Sequence, residues 1–415
     1  MNAYTGTTRE AETLRRRSLR IIFFVMLMDV MGVSILLPVA AYIVQRYSSD
    51  ALMVTLLSVI YAGALFFAAP ALGKISDRVG RKPVLLVSVL GSAFGYFVFG
   101  AAGALWVLFL SRLIDGITGG NMSTAMAWIA DTSTAEERPK NFVIVGMAFG
   151  LGFVLGPALG GPLGQLNLDA PAYAAGVLSL ISLLLIFVAL PESLPRERRE
   201  RSPLRLDDFN PLASIRSMMH KPGLAPLLIS YALFNPAFDG ANSVTGVFVS
   251  RKFLAEPWHL GLLFVVSGLA LGVVQGMFTQ RLVARLGEKS TALFGLLGNA
   301  ASGLMMLAAP ALWLLYPICF ISGSVTGFIW APMATLATNR VSEREQGQLA
   351  GVNAAISGLM SALGPLWAGF SYDHVAAGSP YLMSAILIVL AALVLGRTRL
   401  AARAGQPVNV QSPAD

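Results

Sequence analysis

Between residues 20 and 396 the chain is a succession of apolar runs, each long enough to cross about 30 Å of hydrocarbon as a helix, parted by short polar turns. Inside a bilayer every backbone N–H and C=O must be satisfied within the protein, so runs of this length and kind fold as membrane-spanning helices. They fall at roughly 20–45, 51–73, 83–103, 105–129, 141–164, 172–190, 224–249, 258–280, 289–309, 311–337, 347–370 and 378–396, which makes about twelve spans. Of the 415 residues, 55% are hydrophobic and only 13% charged, and the mean hydropathy is +0.68. The expected class is an all-α polytopic membrane protein. Arg15, Arg16, Arg17 and Arg20 precede the first run as in a signal peptide, but a run of about 25 residues exceeds the roughly 7–15 of a cleaved hydrophobic region. A retained first span is expected.

The densest charge cluster, Gly73 to Lys82 (Gly-Lys-Ile-Ser-Asp-Arg-Val-Gly-Arg-Lys), is wedged between the second and third runs, which makes it a turn at a membrane surface. There Asp77 is placed to cap the following helix, Arg78, Arg81 and Lys82 stay in water, and Gly73 and Gly80 permit a tight backbone. The basic residues alternate from loop to loop. One side holds Arg9 to Arg20, Lys74 to Lys82, Arg138 with Lys140, Arg196 to Lys221, Arg281 to Lys289, Arg340 with Arg344, and Arg397 to Arg403; the other holds only Arg46, Arg251 and Lys252. By the positive-inside rule both termini are cytoplasmic and the protein sits as a multi-pass chain in the plasma (inner) membrane. The net charge of +8 lies in these loops rather than along one face, which argues against nucleic acid as a partner.

The polar stretch 191–223, rich in Arg, Glu and Pro, divides the spans six and six. The expected organisation is an N-terminal segment 1–19, a six-helix bundle 20–190, a linker 191–223, a second bundle 224–397 and a tail 398–415. An internal repeat supports a duplication: Ala104-Leu105-Trp106 is followed 52 residues later by Gly156-Pro157, and Ala311-Leu312-Trp313 is followed 53 residues later by Gly364-Pro365.

Charges inside spans are costly and mark function or pairing. Arg112 and Asp115, three apart, fall on neighbouring helix faces and are able to pair. Asp29 has no partner in its own helix. An isolated carboxylate in a low-dielectric cavity takes up and releases a proton near neutral pH, which makes Asp29 the first proton-coupling candidate, with Arg112, Asp115 and Asp239 beside it. The other readings are a structural Asp29–Arg112 pair and, for Asp239, a hydrogen-bonding role near the outer gate. Gly152, Gly156, Gly160 and Gly164 recur every four residues in span five, with Gly161 adjacent and Pro157 bending the axis; Gly268, Gly272 and Gly276 do the same in span eight. The two stripes are expected to pack on each other across the halves as a dry seam. Tyr61, Phe238 and Trp330, with Asn121, Asn235 and Gln275 as hydrogen-bonding groups, are the candidate cavity wall.

Several of these strings resemble a known family. Gly73 to Lys82 matches, as Gly-x-x-x-Asp-Arg-x-Gly-Arg-Lys, the signature loop of the major facilitator superfamily, and Gly152 to Gly161 resembles its antiporter signature, Gly-x-x-x-Gly-Pro-x-x-Gly-Gly. Arg112-Leu-Ile-Asp115-Gly116 resembles its Arg-x-x-Gln-Gly pattern with Asp in place of Gln, and Asp131 matches the acid that partners the signature loop. Leu27-Met-Asp29-Val-Met-Gly32, Leu36-Leu-Pro38, Gly116-Ile-Thr-Gly119, Ile129-Ala-Asp131 and Leu190-Pro-Glu192-Ser193 are similar to the tetracycline efflux proteins and their drug:proton antiporter relatives.

The resemblance implies the major facilitator fold, twelve transmembrane helices in two pseudo-symmetric six-helix bundles, working by alternating access as a proton-coupled efflux antiporter of small amphipathic, drug-like compounds. It implies a gating network of Asp77, Arg81 and Asp131, with Gly73, Arg78, Gly80 and Lys82, that clamps the loop to span eleven near Gly347 and Gly351 when the cavity faces outward and lets the cytoplasmic side open when broken. The counterpart loop, Gly276 to Lys289, lacks the Asp-Arg pair, and span nine lacks the acid of the tetracycline exporters, so tetracycline itself is not the expected substrate. A sugar or metabolite exporter is the alternative; a non-transporting sensor or scaffold is another. No phosphate-binding Gly-x-x-x-x-Gly-Lys-Ser/Thr loop is present, Cys319 stands alone, and His220, His259 and His374 lie in expected loops. Neither enzymatic chemistry, a metal nor a cofactor is expected, only a proton gradient, with substrate, protons and lipid as partners of a monomer.

Overall fold

The computed structural model describes residues 9–134, 137–199, 218–221, 223–342 and 345–398; parts of the expected linker and both expected terminal segments, and Arg344, lie outside them. Among the described residues the chain is helical, in the order α1 (Arg9–Ser34), α2 (Ala40–Gln45), α3 (Ala51–Val79), α4 (Arg81–Gly100), α5 (Leu105–Thr118), α6 (Asn121–Thr132), α7 (Arg138–Leu166) and α8 (Ala170–Ala189). The second half follows with α9 (Ala225–Phe253), α10 (Pro257–Val273), α11 (Thr279–Ala308), α12 (Leu315–Thr326), α13 (Trp330–Thr338), α14 (Gln346–His374) and α15 (Ser379–Arg397).

Eight stretches are long and apolar enough to cross a membrane, one of them the 52-residue Pro257–Ala308, which folds back at Gly287 and serves as two. Three further crossings complete the expected twelve. The first, α1 with α2, is interrupted around Pro38; the fourth, α5 with α6, breaks at Gly119–Gly120; the seventh, α9, carries Asp239. Proline and glycine break these ladders because one lacks an N–H and the other adds backbone freedom.

The halves repeat each other. Gly80 (φ 111°) turns the chain between α3 and α4, and Gly287 (φ 79°) turns it at the matching place, 287 − 80 = 207 residues on. The same offset relates Ala104-Leu105-Trp106 to Ala311-Leu312-Trp313, and Gly120 at the α5/α6 break to Gly327 at the α12/α13 break. It also relates Gly116 to Gly323, where an added Cβ would strike the backbone oxygen of Tyr61 on α3 and of Ser267 on α10, respectively.

The expected turn at Gly73 is not one. Helix α3 runs through Gly73 to Val79, and only Gly80 takes the positive φ that favours glycine. Nor does Asp77 cap α4; it bonds Arg81 instead, at 2.6 Å. A single left-handed residue suffices to reverse direction here.

The glycine seam also differs from expectation. A Cβ on Gly152 would lie 2.6 Å from Val30, and those on Gly156 and Gly160 would strike Ser34 and Ile35, so this stripe packs on α1 within its own bundle. Residues spaced by four share a face, and Gly161, about 100° round the helix from Gly160, faces α10: a Cβ built on it would lie 3.0 Å from Trp258 Cα, and one on Gly164 3.3 Å from Pro257 Cβ. Across the seam Gly261 answers it, where a Cβ would come within 2.7 Å of the Pro157 carbonyl oxygen, and a Cβ on Gly268 would lie 3.1 Å from Val154, whereas Gly272 and Gly276 face open space. The second interface, α3 against α14, shows the same gradient. A Cβ on Gly369 would lie 2.8 Å from Leu52 and one on Gly358 2.9 Å from Phe66, but one on Gly73 or Gly351 would meet nothing within 4 Å. The cleft between the bundles is closed at the end remote from the basic loops and open at the basic end.

Gly156→Leu is therefore expected to overpack the first bundle and lower its stability by about 1–3 kcal/mol, read as a fall in thermal midpoint. Gly161→Leu should leave the midpoint less affected but hold the far end apart, read as faster maleimide labelling of Thr55→Cys in a Cys319→Ser background.

Candidate functional site

In the first bundle, Arg112 Nη1 donates to Asp115 Oδ2 at 3.1 Å, with the two side chains 8% and 2% exposed. The guanidinium lies 4.8 Å from the centroid of the Phe99 ring and 5.2 Å from that of Tyr96, and these π faces stabilise a charge that the carboxylate alone does not fully satisfy. Its Nε and Nη2 have no hydrogen-bond partner among the described residues. Asp29 on α1 is half-buried and accepts a 2.7 Å bond from Nδ2 of Asn121, the first residue of α6. The Gly119–Gly120 break places that amide. Tyr61 on α3 lies within electrostatic reach of Asp29, Arg112 and Asp115. Asp29, Tyr61, Arg112, Asp115 and Asn121 thus form one cluster, in which Arg112 pairs with Asp115 and Asp29 pairs with an amide.

In the second bundle a polar ladder joins α9 to α14. Ser361 Oγ donates to Asp239 Oδ2 at 2.6 Å, Ser357 Oγ donates to Asn235 Oδ1 at 3.3 Å, and the Tyr231 and Ser357 hydroxyls are 2.7 Å apart. Beside the ladder, Trp330 packs edge-on against Tyr231, Phe234 and Phe238, with ring centroids 5.9, 5.3 and 6.1 Å away. Asn235, Phe238, Asp239 and Trp330 are therefore brought together, but Gln275 is not among them. It is exposed within a π-helical turn, 274–278, where its backbone N approaches Gly327. Sequence reasoning passed over Tyr231, Ser357 and Ser361, although 231, 235 and 239, like 357 and 361, are spaced by four and so share a helix face. It also passed over Asn242, exposed in the middle of α9.

At each end of the cleft a carboxylate caps a helix N-terminus, where unpaired backbone N–H groups and the helix dipole favour negative charge. At the basic end Arg81 binds Asp77 at 2.6 Å and Asp131 at 2.9 Å, and Glu192, from the segment after α8, accepts the backbone N–H groups of Arg81 (2.9 Å) and Lys82 (3.2 Å). Glycine is favoured at position 80 because its φ of 111° is a backbone conformation that L side chains rarely adopt. Lys82 Nζ donates to the Phe187 carbonyl at 2.9 Å, while Arg78 is half-buried in the last turn of α3. The bonds of Arg81 to Asp77 and Asp131, and of Glu192 to the Arg81 and Lys82 backbone, all lie within the first bundle.

At the far end the cap crosses between bundles. Asp373, at the close of α14, accepts the backbone N–H groups of Ala51 and Leu52 at 2.9 and 2.8 Å. Arg251 bonds the Ser49 carbonyl, Gln45 bonds Ser250 at 3.2 Å, and Gln165 bonds Glu256 at 3.1 Å across the same gap. Asp373→Ala removes a cap of the kind worth about 0.5–2 kcal/mol. It is expected to raise the labelling rate of Thr55→Cys roughly tenfold, since about 1.4 kcal/mol shifts an equilibrium by that factor; an unchanged rate would show that the other far-end bonds hold the closure alone.

The profile of the Major Facilitator Superfamily matches residues 22–365 and 237–413. The chain is 32% identical to the class C tetracycline resistance protein of Escherichia coli over 343 residues, 82% of this chain and 85% of that one. The crystal structure of the human organic anion transporter MFSD10 (TETRAN) superposes with a TM-score of 0.69 at 25% identity, covering 92% of this chain and 99% of that one. A bacterial homologue of the human lysosomal transporter Spinster, in an inward-facing and occupied conformation, gives 0.75 at 16% identity over 95% and 98%. With the family profile spanning nearly all of both bundles, this multi-pass membrane protein belongs to the Major Facilitator Superfamily.

Proposed function

We propose that the protein is a proton-coupled efflux antiporter that exports small amphipathic, drug-like compounds by alternating access, with both termini cytoplasmic in the plasma (inner) membrane and no cofactor besides the proton gradient. The observation that carries this reading is Asp29. It is a half-buried carboxylate on the first bundle whose hydrogen-bond partner is a neutral amide, next to an Arg112–Asp115 pair that neutralises itself. Such a group costs several kcal/mol when ionised in a dry environment and is relieved by a proton or by water, so its state follows which side of the membrane the cleft faces. The tetracycline resistance proteins support the export direction and the drug-like substrate class. With the basic end cytoplasmic, the open cleft receives substrate from inside; the Asp373 contacts then part as the bundles rock, and the Asp77–Arg81–Asp131 loop clamps onto span eleven to close the basic end.

Purified protein in liposomes with a lumenal pH dye tests this, as cationic, neutral and polyol compounds are added in turn. Substrate-triggered proton movement is expected in the wild type and should fall to the level of empty liposomes in Asp29→Asn. Unimpaired uphill transport by that variant would remove Asp29 as the proton site.

A further inference from the structure

The membrane spans carry three carboxylates, Asp29, Asp115 and Asp239, against one guanidinium, Arg112. Asp115 has Arg112, which leaves the first bundle with Asp29 and the second with Asp239. The second bundle's charge is the more isolated. Residues 224–250, 257–280, 290–339, 346–372 and 379–396 hold no Lys or Arg, and Asp239 is the one acidic side chain in them. Its hydrogen-bond partner in the structure is a neutral hydroxyl, Ser361, and the groups around it are of one kind. Aromatic faces carry negative potential, and Asn242, having donated its Nδ2 to the Phe238 carbonyl at 2.8 Å, has its carbonyl oxygen left to accept. Nothing positive meets this surface among the described residues.

We propose that Asp239, with the Tyr231, Phe238 and Trp330 rings beside it, is the seat for an organic cation, the ammonium or phosphonium group of the transported compound. The inference rests on the export reading and deepens it by naming the substrate class, and it assigns Asp239 to substrate rather than to the proton. A cation there supplies the missing countercharge while the rings contribute cation–π attraction in a partly desolvated setting. Phe238 and Asn242 also line a small cavity between α9, α10, α11, α12 and α15, whose wall includes Leu263, Phe264 and Ile318 together with the polar Thr245, Asn299 and Ser322. An anionic compound meets the opposite field at both Asp29 and Asp239.

Tetraphenylphosphonium and tetraphenylborate are nearly identical in shape and opposite in charge, so their relative affinity for the purified protein, measured in detergent by equilibrium dialysis, isolates the sign of the site. The wild type is expected to hold the phosphonium at least about tenfold more tightly, a preference that Asp239→Asn abolishes, Asp239→Glu retains and Trp330→Leu weakens. Equal affinities in the wild type, a preference for the borate, or a preference that survives in a folded Asp239→Asn would each overturn the proposal. Should Asp239→Asn not fold, carbodiimide labelling of Asp239 in the wild-type chain, mapped by mass spectrometry, gives the same answer: protection by phosphonium and not by borate supports the seat, and protection by both or neither removes it. No gradient is present in these measurements, so a wild type that moves no protons in liposomes would sink the antiport reading and leave this one standing.

Discussion

A charge inside hydrocarbon must be met by another charge, by hydrogen bonds or by water, and the layout of this protein follows from how its few buried charges are met. Arg112 is tied to Asp115 and sandwiched by Tyr96 and Phe99, which makes it a rigid, locally neutral post in the first bundle. Asp29 and Asp239 are held by neutral partners, Asn121 and Ser361. Neutral partners fix a carboxylate's position without fixing its ionisation state. The two bundles therefore each present one group whose charge is free to be answered by something mobile.

The same chemistry, a carboxylate on the first N–H groups of a helix, is used for opposite mechanical ends. Glu192 caps α4 from within the first bundle, where Arg81 also binds Asp77 and Asp131. Asp373 caps α3 from the other bundle, so its bonds exist only while the far end is shut. Close backbone approach divides in the same way. Gly152, Gly156 and Gly160 bring α7 onto α1 within one bundle, whereas Gly161 against Gly261 joins the two bundles at the closed end.

Much of the fold was legible because hydrophobic length and the alternation of loop charge are set by the bilayer rather than by tertiary detail. Twelve spans and the division into halves follow from those two patterns. The positions of Asp29, Arg112, Asp115 and Asp239 were legible for the same reason, since a charge within an apolar run stands out. Which partner each takes was not. Four-residue spacing in α7 identifies a face of glycines but not the helix that covers it, and the neighbour proved to be α1 rather than α10. Glu192 and Asp373 lie outside the spans, where acids are ordinary, so no local pattern reveals that each sits on a helix end far away in sequence. The π-helical turn at 274–278 has no proline or paired glycine to announce it; it is imposed by packing against Gly327.

The 207-residue offset between the halves also bears on their charge. Applied to the ion pair of the first bundle, it sets Cys319 at the place of Arg112 and Ser322 at that of Asp115, while Gly116 and Gly120 keep their counterparts in Gly323 and Gly327. The glycines that shape the broken span stand in both halves, and the ion pair stands in one. One protein thus offers two like-shaped halves with unlike electrostatics.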